Sequence, residues 1–400
     1  MTAAEAALPT MPFERPDVLD VAPLYRVLQA EHPVTRVRAP AGGEAWLVTR
    51  YEDVRALFLD ERLSWFPPDP ERAPRITNFA MLDGASGRYD DPGGRSRMRA
   101  ALEPSFSAKR MRALAPHIQE LVDGLLDRLA TAPRPADLHE ELSYPLPAMV
   151  IGELLGVPPN DRERCRAWLD AVADTRDRAR GRAGLEALRA YMGELIEEKR
   201  RAPGEDVISD LLAGGRDGRS FSDREILGWA AGLLFAGHET TVARIDMGTL
   251  LLLAHPGERD ALRRDPSLVP RAVEEILRMA VPGDGPGGLP RYAHADLEVA
   301  GVTIRRGDAV LLAGSIANRD PRVVADSDRF DVARERTAHL TFGLGPHFCL
   351  GASLARMELQ AVFGTLFTRF PSLRLAVPLE RLRLRTNRIG GGLVELPVAW

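Results

Sequence analysis

The sequence predicts a mainly α-helical protein with small β-sheets. Apolar residues recur at helical intervals from Met98 to about Arg201, and a long apolar run is capped at Ser222 and stopped at Pro256. Alternating β-type segments are confined to a stretch near residue 44 and to the last quarter of the chain. With 400 residues the chain can bury a large core, which predicts one big fold or two closely fused lobes.

In chain order, EAWLVTR (Glu44 to Arg50) reads as a strand and RYEDVRALFLD after it as a helix. Residues 64 to 94 are rich in Pro, Gly and Asp and form a long loop, a feature that in compact folds is usually functional. Several amphipathic helices follow, in MRALAPHIQELVDGLLDRL and GLEALRAYMGELIEEKRR among others. Ser222 and Glu225 make a capping box, and the helix they open is expected to reach His255, a span of about 50 Å at ~1.5 Å per residue. It is no membrane span, because the apolar run from Ile226 to Ala236 is short and the next turns carry His238, Glu239, Arg244 and Asp246. After a helix carrying AVEEILRM, the segments LEVAGVTI and AVLLAG read as strands with a turn around Gly307 and Asp308. The C-terminal LRLRTNRIGGGLVELPV reads as another hairpin.

A hydrophobic fraction of 45% with 28% charged residues excludes disorder and fibrous repeats. A net charge of −4 argues against nucleic-acid binding. The first twenty residues lack a basic segment followed by an apolar run, so no signal peptide or membrane anchor is expected and the protein should be cytoplasmic. In that setting Cys165 and Cys349 are not expected to pair, and Cys165, in the charged helical context DRERCRAW, reads as incidental.

Cys349 stands in FGLGPHFCLG, a glycine-rich loop just before a helix, where backbone N–H groups and a helix N-terminus favour the thiolate. On loop chemistry alone it could be a metal ligand, a nucleophile with His347 as its base, a buried structural cysteine, or part of a zinc site with His339 and His347. In AGHETT, Ala236 to Thr241, polar groups break the apolar central helix. Thr240 can bond the Ala236 carbonyl one turn back while Gly237 removes bulk beside it, a combination able to open a groove for a small ligand or water. Alternatively, Glu239 and Thr241 face solvent where the helix surfaces. Glu275 and Arg278 share a helix face, a pattern of little specificity alone.

Taken together and in this order, the motifs resemble the cytochrome P-450 superfamily, the haem-thiolate monooxygenases, in its soluble bacterial class. FGLGPHFCLG matches the family's F-G-x-G-x-H-x-C-x-G loop at every specified position, EEILR matches its E-x-x-R helix, and AGHETT matches its oxygen-activation motif. SDRF matches the segment that supplies Arg329 to the Glu275–Arg278 network, with Ser327 in place of the usual proline. The stretches ETTVARIDMGTLLLL and PRYAHADLEVAG are similar to actinobacterial members that tailor polyketides and terpenoids.

The resemblance implies a single P-450 domain over 1–400, a helix-rich lobe plus a smaller β-rich one, with the long central helix lying over haem b. Cys349 would be the axial ligand of the haem iron, with Phe342, Gly343, Ala236 and Gly237 around the cofactor. His347, Arg291 and Arg99 match the usual propionate contacts, and Arg95 stands where relatives often have His. Glu239 as the acid and Thr240 as the alcohol would relay protons, and O₂ would be the co-substrate. Phe79, Met81, Leu82, Leu234, Phe235, Ala236, Leu289 and Ile389 are the candidate pocket walls, apolar enough to suggest a lipophilic small molecule that is hydroxylated or epoxidised. The same scaffold could run a rearrangement, desaturation or carbon–carbon coupling, and a haem sensor or carrier is the non-enzymatic alternative. With no flavin or iron–sulfur motif in the chain, electrons would come from a ferredoxin and its reductase, docking near Arg97, Lys109, Arg110 and Arg112; a monomer is expected.

Overall fold

The computed structural model describes residues 8–82, 92–214, 220–283, 285 and 287–400. The helix that dominates it is Asp223–Ala254, 32 residues that start where the sequence indicates. Ser222 accepts from the Glu225 N–H while the Glu225 side chain accepts from the Ser222 N–H, completing the capping box, and Pro256 begins the next helix. Residues all round this helix are buried, from Ile226 and Trp229 to Leu253, so it runs through the core rather than along the surface. Helix Pro145–Leu155 crosses it where Gly237 sits: a Cβ there would lie 2.7 Å from Ile151 Cγ1. Helices Val269–Met279 and Ala352–Arg369 pack at Gly248, where a Cβ would meet Phe363 and, at 2.8 Å, Ile276. Among the described residues no helix is long and apolar enough to cross a membrane.

The remaining long helices are Ala108–Thr131, Arg162–Val172 and Arg178–Arg201. The last two form an antiparallel-type pair packed closely against each other, with Gly184 against Ala171. The strands described are β1 (Val34–Arg38), β2 (Glu44–Val48), β3 (Leu63–Ser64), β4 (Ala136–Asp137), β5 (Arg291–Ala293), β6 (Leu297–Val299), β7 (Val302–Ile304), β8 (Ala309–Leu312), β9 (Arg374–Leu375) and β10 (Pro397–Ala399). The main sheet has the order β1-β2-β8-β5-β3, with β2 and β8 parallel and the other pairs antiparallel. Its side chains alternate between two cores: Ala309 and Leu311 point to one, Val310 and Leu312 to the other.

Three expectations change. The long loop ends earlier than residue 94, because a helix begins at Pro92; its residues 83–91 lie outside the described residues. The C-terminal hairpin is reduced to a single bridge, Leu384 with Leu393, since β10 instead pairs with β4 and β9, which offer it two partners. Arg329 does not join the buried network through its side chain, which is 64% exposed and 3.8 Å from Asp331. Arg334 takes that place, with Nε 3.2 Å from Glu275 Oε1, and Arg329 contributes only its carbonyl, which accepts from Arg278 and Arg334.

Candidate active site

The loop before helix Ala352–Arg369 is shaped by two left-handed glycines, Gly343 (φ +65°) and Gly345 (φ +60°). At Gly345 a Cβ would sit 2.9 Å from Leu59 Cδ2, so the loop also needs the missing side chain to lie against helix Tyr51–Leu59. The turn closes on itself through Cys349 N–H donating to the Phe342 carbonyl at 2.8 Å. Cys349 is exposed as a residue, and a Cβ on neighbouring Gly351 would meet no protein atom within 4 Å, so the loop presents an open cradle beside the sulfur. Desolvation by the surrounding protein raises the thiol pKa, opposed by a hydrogen bond from the Gly351 N–H and by the charges of Arg356 and Arg99. The loop and helix terminus therefore do not by themselves outweigh burial. Phe342 packs beside the loop, its ring under the Arg356 guanidinium at 4.5 Å and 6.4 Å from the Phe348 ring.

A cationic cluster forms next to this loop. β5 pairs with β3 (Ala293 opposite Leu63), which brings Arg291 beside Trp65, with Cζ 5.0 Å from the ring, and Trp65 beside His347, with ring centroids 4.8 Å apart. Arg95 Nη1 lies 3.0 Å from His347 Nε2, a geometry that requires a neutral imidazole accepting at that nitrogen. Desolvation, then Arg291 and Arg95, push the His347 pKa down to about 3; desolvation and Arg95 lower Arg291 to about 9. Arg95 is lowered as well, by desolvation. Three buried donors here have no hydrogen-bond partner: Arg95 Nε, His347 Nδ1 and Trp65 Nε1. Clustered cations with orphaned donors destabilise one another unless an anion joins them. Arg99 borders the cluster, its charge also lowering the His347 pKa, while it donates to the Phe348 carbonyl at 2.8 Å and pairs with Glu103.

On the central helix, Ala236 and Thr240 are exposed one turn apart in an otherwise buried stretch, and Thr240 Oγ1 donates to the Ala236 carbonyl at 3.0 Å. Glu239 and Gly237 lie elsewhere. Gly237 faces Ile151, so its missing side chain admits a neighbouring helix and does not widen the groove. Glu239 is buried under the C-terminal loop, with Gly390 against it (a Cβ there would be 2.5 Å from Glu239 Cγ) and Arg388 Nη1 3.5 Å from its Oε2. Desolvation raises its pKa, and Arg388 counteracts this.

Of the expected pocket walls, Phe79 and Phe235 stack at 5.2 Å, and Met81, Leu82, Leu289 and Ile389 are half-buried. Leu234 points the other way, into a small cavity behind the helix shared with Tyr144, Cys165 and Leu169. In the predicted basic patch, Arg97 pairs with Glu225 and Arg110 with Asp210, while no ion pair among the described residues engages Lys109 or Arg112. Trp65, Arg334, Arg356 and Arg388 are not singled out by the sequence, because no local pattern distinguishes them from other surface-type residues.

The family model described as Cytochrome P450 matches residues 173–376. Over 400 aligned residues the chain is 47% identical to pentalenolactone synthase of Streptomyces exfoliatus, covering 98% of this chain and 99% of that protein. It is 41% identical to the mycinamicin IV hydroxylase/epoxidase of Micromonospora griseorubida, with both chains covered in full.

The chain belongs to the cytochrome P450 family.

The fold agrees: the putative thioether synthase SgvP of griseoviridin tailoring superposes with a TM-score of 0.92 at 36% identity, over 99% of this chain and 100% of that one. CYP105P1 in complex with filipin I superposes with 0.89 at 39% identity, over 98% and 99%. As a P450 the protein is a monooxygenase with a haem-thiolate cofactor, and it takes a substrate, O₂ and electrons from a redox partner. The residues present fit such a group: a cysteine beside an open cradle, and next to it buried cationic donors that need a di-anion.

Proposed function

We propose that this P450 is a haem b enzyme, folded as one domain, that hydroxylates or epoxidises a lipophilic secondary metabolite in the cytoplasm, with electrons from a ferredoxin and its reductase. The observation that carries the cofactor assignment is the cluster beside the Cys349 loop, in which two guanidiniums, Arg95 and Arg291, adjoin a neutral His347 and three buried donors, Arg95 Nε, His347 Nδ1 and Trp65 Nε1, have no partner. Two carboxylates placed there would accept from Arg95 Nε, His347 Nδ1 and Arg291, restoring the charge balance. Cys349 would hold the group through its sulfur, and the group, when bound, would supply O₂ activation and oxygen insertion.

The chain's own groups do the positioning. Gly351 N–H and the Arg356 charge stabilise a thiolate at Cys349 Sγ against desolvation. Thr240 Oγ1, held on the Ala236 carbonyl, presents its oxygen toward the open groove, where it can accept a proton from water and pass one on. Glu239, buried with a raised pKa, keeps the proton on its carboxyl to a higher pH than an exposed glutamate does. Phe79 and Phe235 give the substrate an apolar wall that excludes water. Support for a polyketide or terpenoid substrate comes from the relatives, a pentalenolactone synthase and a mycinamicin IV hydroxylase/epoxidase. Lys109 and Arg112 remain available for an acidic ferredoxin.

Replacing Cys349 with serine tests the assignment. The ferrous–CO absorption typical of thiolate ligation should vanish from purified, haem-supplied protein; a retained thiolate-type band would overturn it. A screen of terpenoid and macrolide natural products for a low-spin to high-spin shift identifies the substrate class.

A further inference from the structure

In the second half of the central helix, surface is left open along a single stripe. Between Leu233 and Leu253 every residue is buried except Leu233, Ala236, Gly237, Thr240 and Arg244, and Gly237 is taken up by its contact with Ile151. At about 3.6 residues per turn, Leu233 and Arg244 stand three turns apart with Ala236 and Thr240 between them, so the four side chains lie along one face. That is the face on which Thr240 meets the groove, and Arg244 borders the same groove one turn further along. The stripe is amphiphilic: apolar at Leu233 and Ala236, a hydroxyl at Thr240, and a cation at its far end.

That cation has little to hold it. Arg244 Nη1 donates to the carbonyl of Ala280, the cap of helix Val269–Met279, and among the described residues no carboxylate engages it. Desolvation alone lowers its pKa, to about 10, so the guanidinium stays charged at neutral pH. Other deeply buried arginines have counter-charges: Arg278 has Glu275 at 2.7 Å, and Arg319 has Asp20 and Asp328 at 3.8 and 3.9 Å. A desolvated charge is strongly unfavourable until an opposite charge joins it. The anion that suits the neighbouring cluster does not serve here. Arg95 lowers the Arg291 pKa and both lower that of His347, whereas none of the three acts on Arg244, which therefore stands apart from them.

We propose that Arg244 is a specificity residue that receives the carboxylate of the substrate, which makes the substrate class lipophilic carboxylic acids. A guanidinium and a carboxylate meet in a planar, two-pronged contact, and in a desolvated groove that contact is both strong and directional. An acid anchored at Arg244 lays its carbon skeleton back along the stripe, past Thr240 and toward Ala236 and Leu233. The anchor thereby selects which carbon lies beside Thr240, and a neutral analogue of the same shape leaves the buried charge unpaired. This inference rests on the reading of the groove as the substrate site.

Equilibrium binding to the substrate-free holoenzyme tests this without turnover. Benzoic, decanoic, adamantane-1-carboxylic and abietic acids, each paired with its methyl ester, are titrated at about pH 7.5, where the acids are ionised, and the low-spin to high-spin absorption shift is followed. The acids that fit should bind roughly 10- to 100-fold more tightly than their esters. Arg244→Gln should bring those acids to the affinity of the esters while changing the esters by less than about twofold. Arg244→Lys keeps the charge without the fork and should leave the acids in between, which also serves if the glutamine variant folds poorly. Esters that bind the wild type as tightly as every acid, or an Arg244→Gln variant that weakens both kinds alike, overturn the proposal. Faster haem transfer to a scavenger from Arg244→Gln would assign the guanidinium to the cofactor and overturn it too. If no lipophile, acid or ester, shifts the spin state, the reading of the groove as the substrate site falls as well; esters that bind with no advantage for acids refute the role of Arg244 alone.

Discussion

Removing Arg278 exposes what the E-x-x-R pair contributes. Both Glu275 and Arg278 are fully buried. Arg278 donates to Glu275 twice, at 2.8 and 2.7 Å, and to the carbonyls of Asn318, Ser327 and Arg329 at 3.1, 2.6 and 3.2 Å. Arg278→Met leaves Glu275 with the Asp331 N–H and Arg334, both at 3.2 Å, and leaves three carbonyls without that donor. Breaking a buried pair from one side costs about 3–5 kcal/mol, and the residual Arg334 contact argues for the lower half of that range. At ~2.1 cal/mol/K per residue, the 400-residue chain has an unfolding entropy of roughly 0.8 kcal/mol/K, so Tm should fall by about 4–5 °C. Far-UV circular dichroism of holoenzyme melts measures it. The double variant Glu275→Leu/Arg278→Met, which leaves no unpaired charge, should recover at least half of the loss. Arg329→Ala, whose side chain is exposed, should change Tm by less than about 1 °C. A single-variant loss under about 1 °C, or a double variant no better than the single, would refute the electrostatic reasoning.

Arg291→Leu removes one buried donor from the cationic cluster, a charge-assisted bond worth about 1.5–3 kcal/mol; transfer of haem to an excess scavenger should then be roughly 10- to 100-fold faster. Unchanged transfer rates would show that Arg291 does not hold the group. Thr240→Ala should divert reducing equivalents to hydrogen peroxide while leaving CO binding intact, and unchanged coupling would remove Thr240 from the relay. Although desolvation raises it, hydrogen bonds from Arg356 and His339 hold the Glu274 carboxyl down to about 2. A depressed carboxylate stabilises the fold above its unfolded pKa and loses that contribution as pH falls. Relative to Glu274→Gln, the wild type should therefore lose stability between about pH 4.5 and pH 2, read by acid titration of the melts. Parallel curves through that window would mean the triad contributes nothing.

The central helix was legible because its signals are local: the Ser222–Glu225 box, the apolar stretch and Pro256 lie on the segment they define. The Cys349 loop was legible for a similar reason, as its glycines occupy positions where the backbone turns left-handed. Thr240's bond to Ala236 spans one helical turn and could be named from the sequence. Facing was harder. Gly237, inside the motif, and Leu234, two residues before it, face away from the groove on a helix buried all round, where periodicity carries no information about direction.

By itself, then, the sequence determined the mainly helical architecture, the ends of its longest helix, the glycine-shaped turn before Cys349, and, through its motifs, the family's chemistry. Only the tertiary structure decided who partners whom: Arg334 rather than Arg329 with Glu275, Trp65 between Arg291 and His347, and Arg388 between Asp170 and Glu239. Caps, turns and helical bonds join residues a few positions apart, so their pattern is written in the local chain. These pairings join residues that lie tens to hundreds of positions apart, and which of 53 lysines and arginines meets which carboxylate is settled only when packing brings one pair within reach and desolvates it.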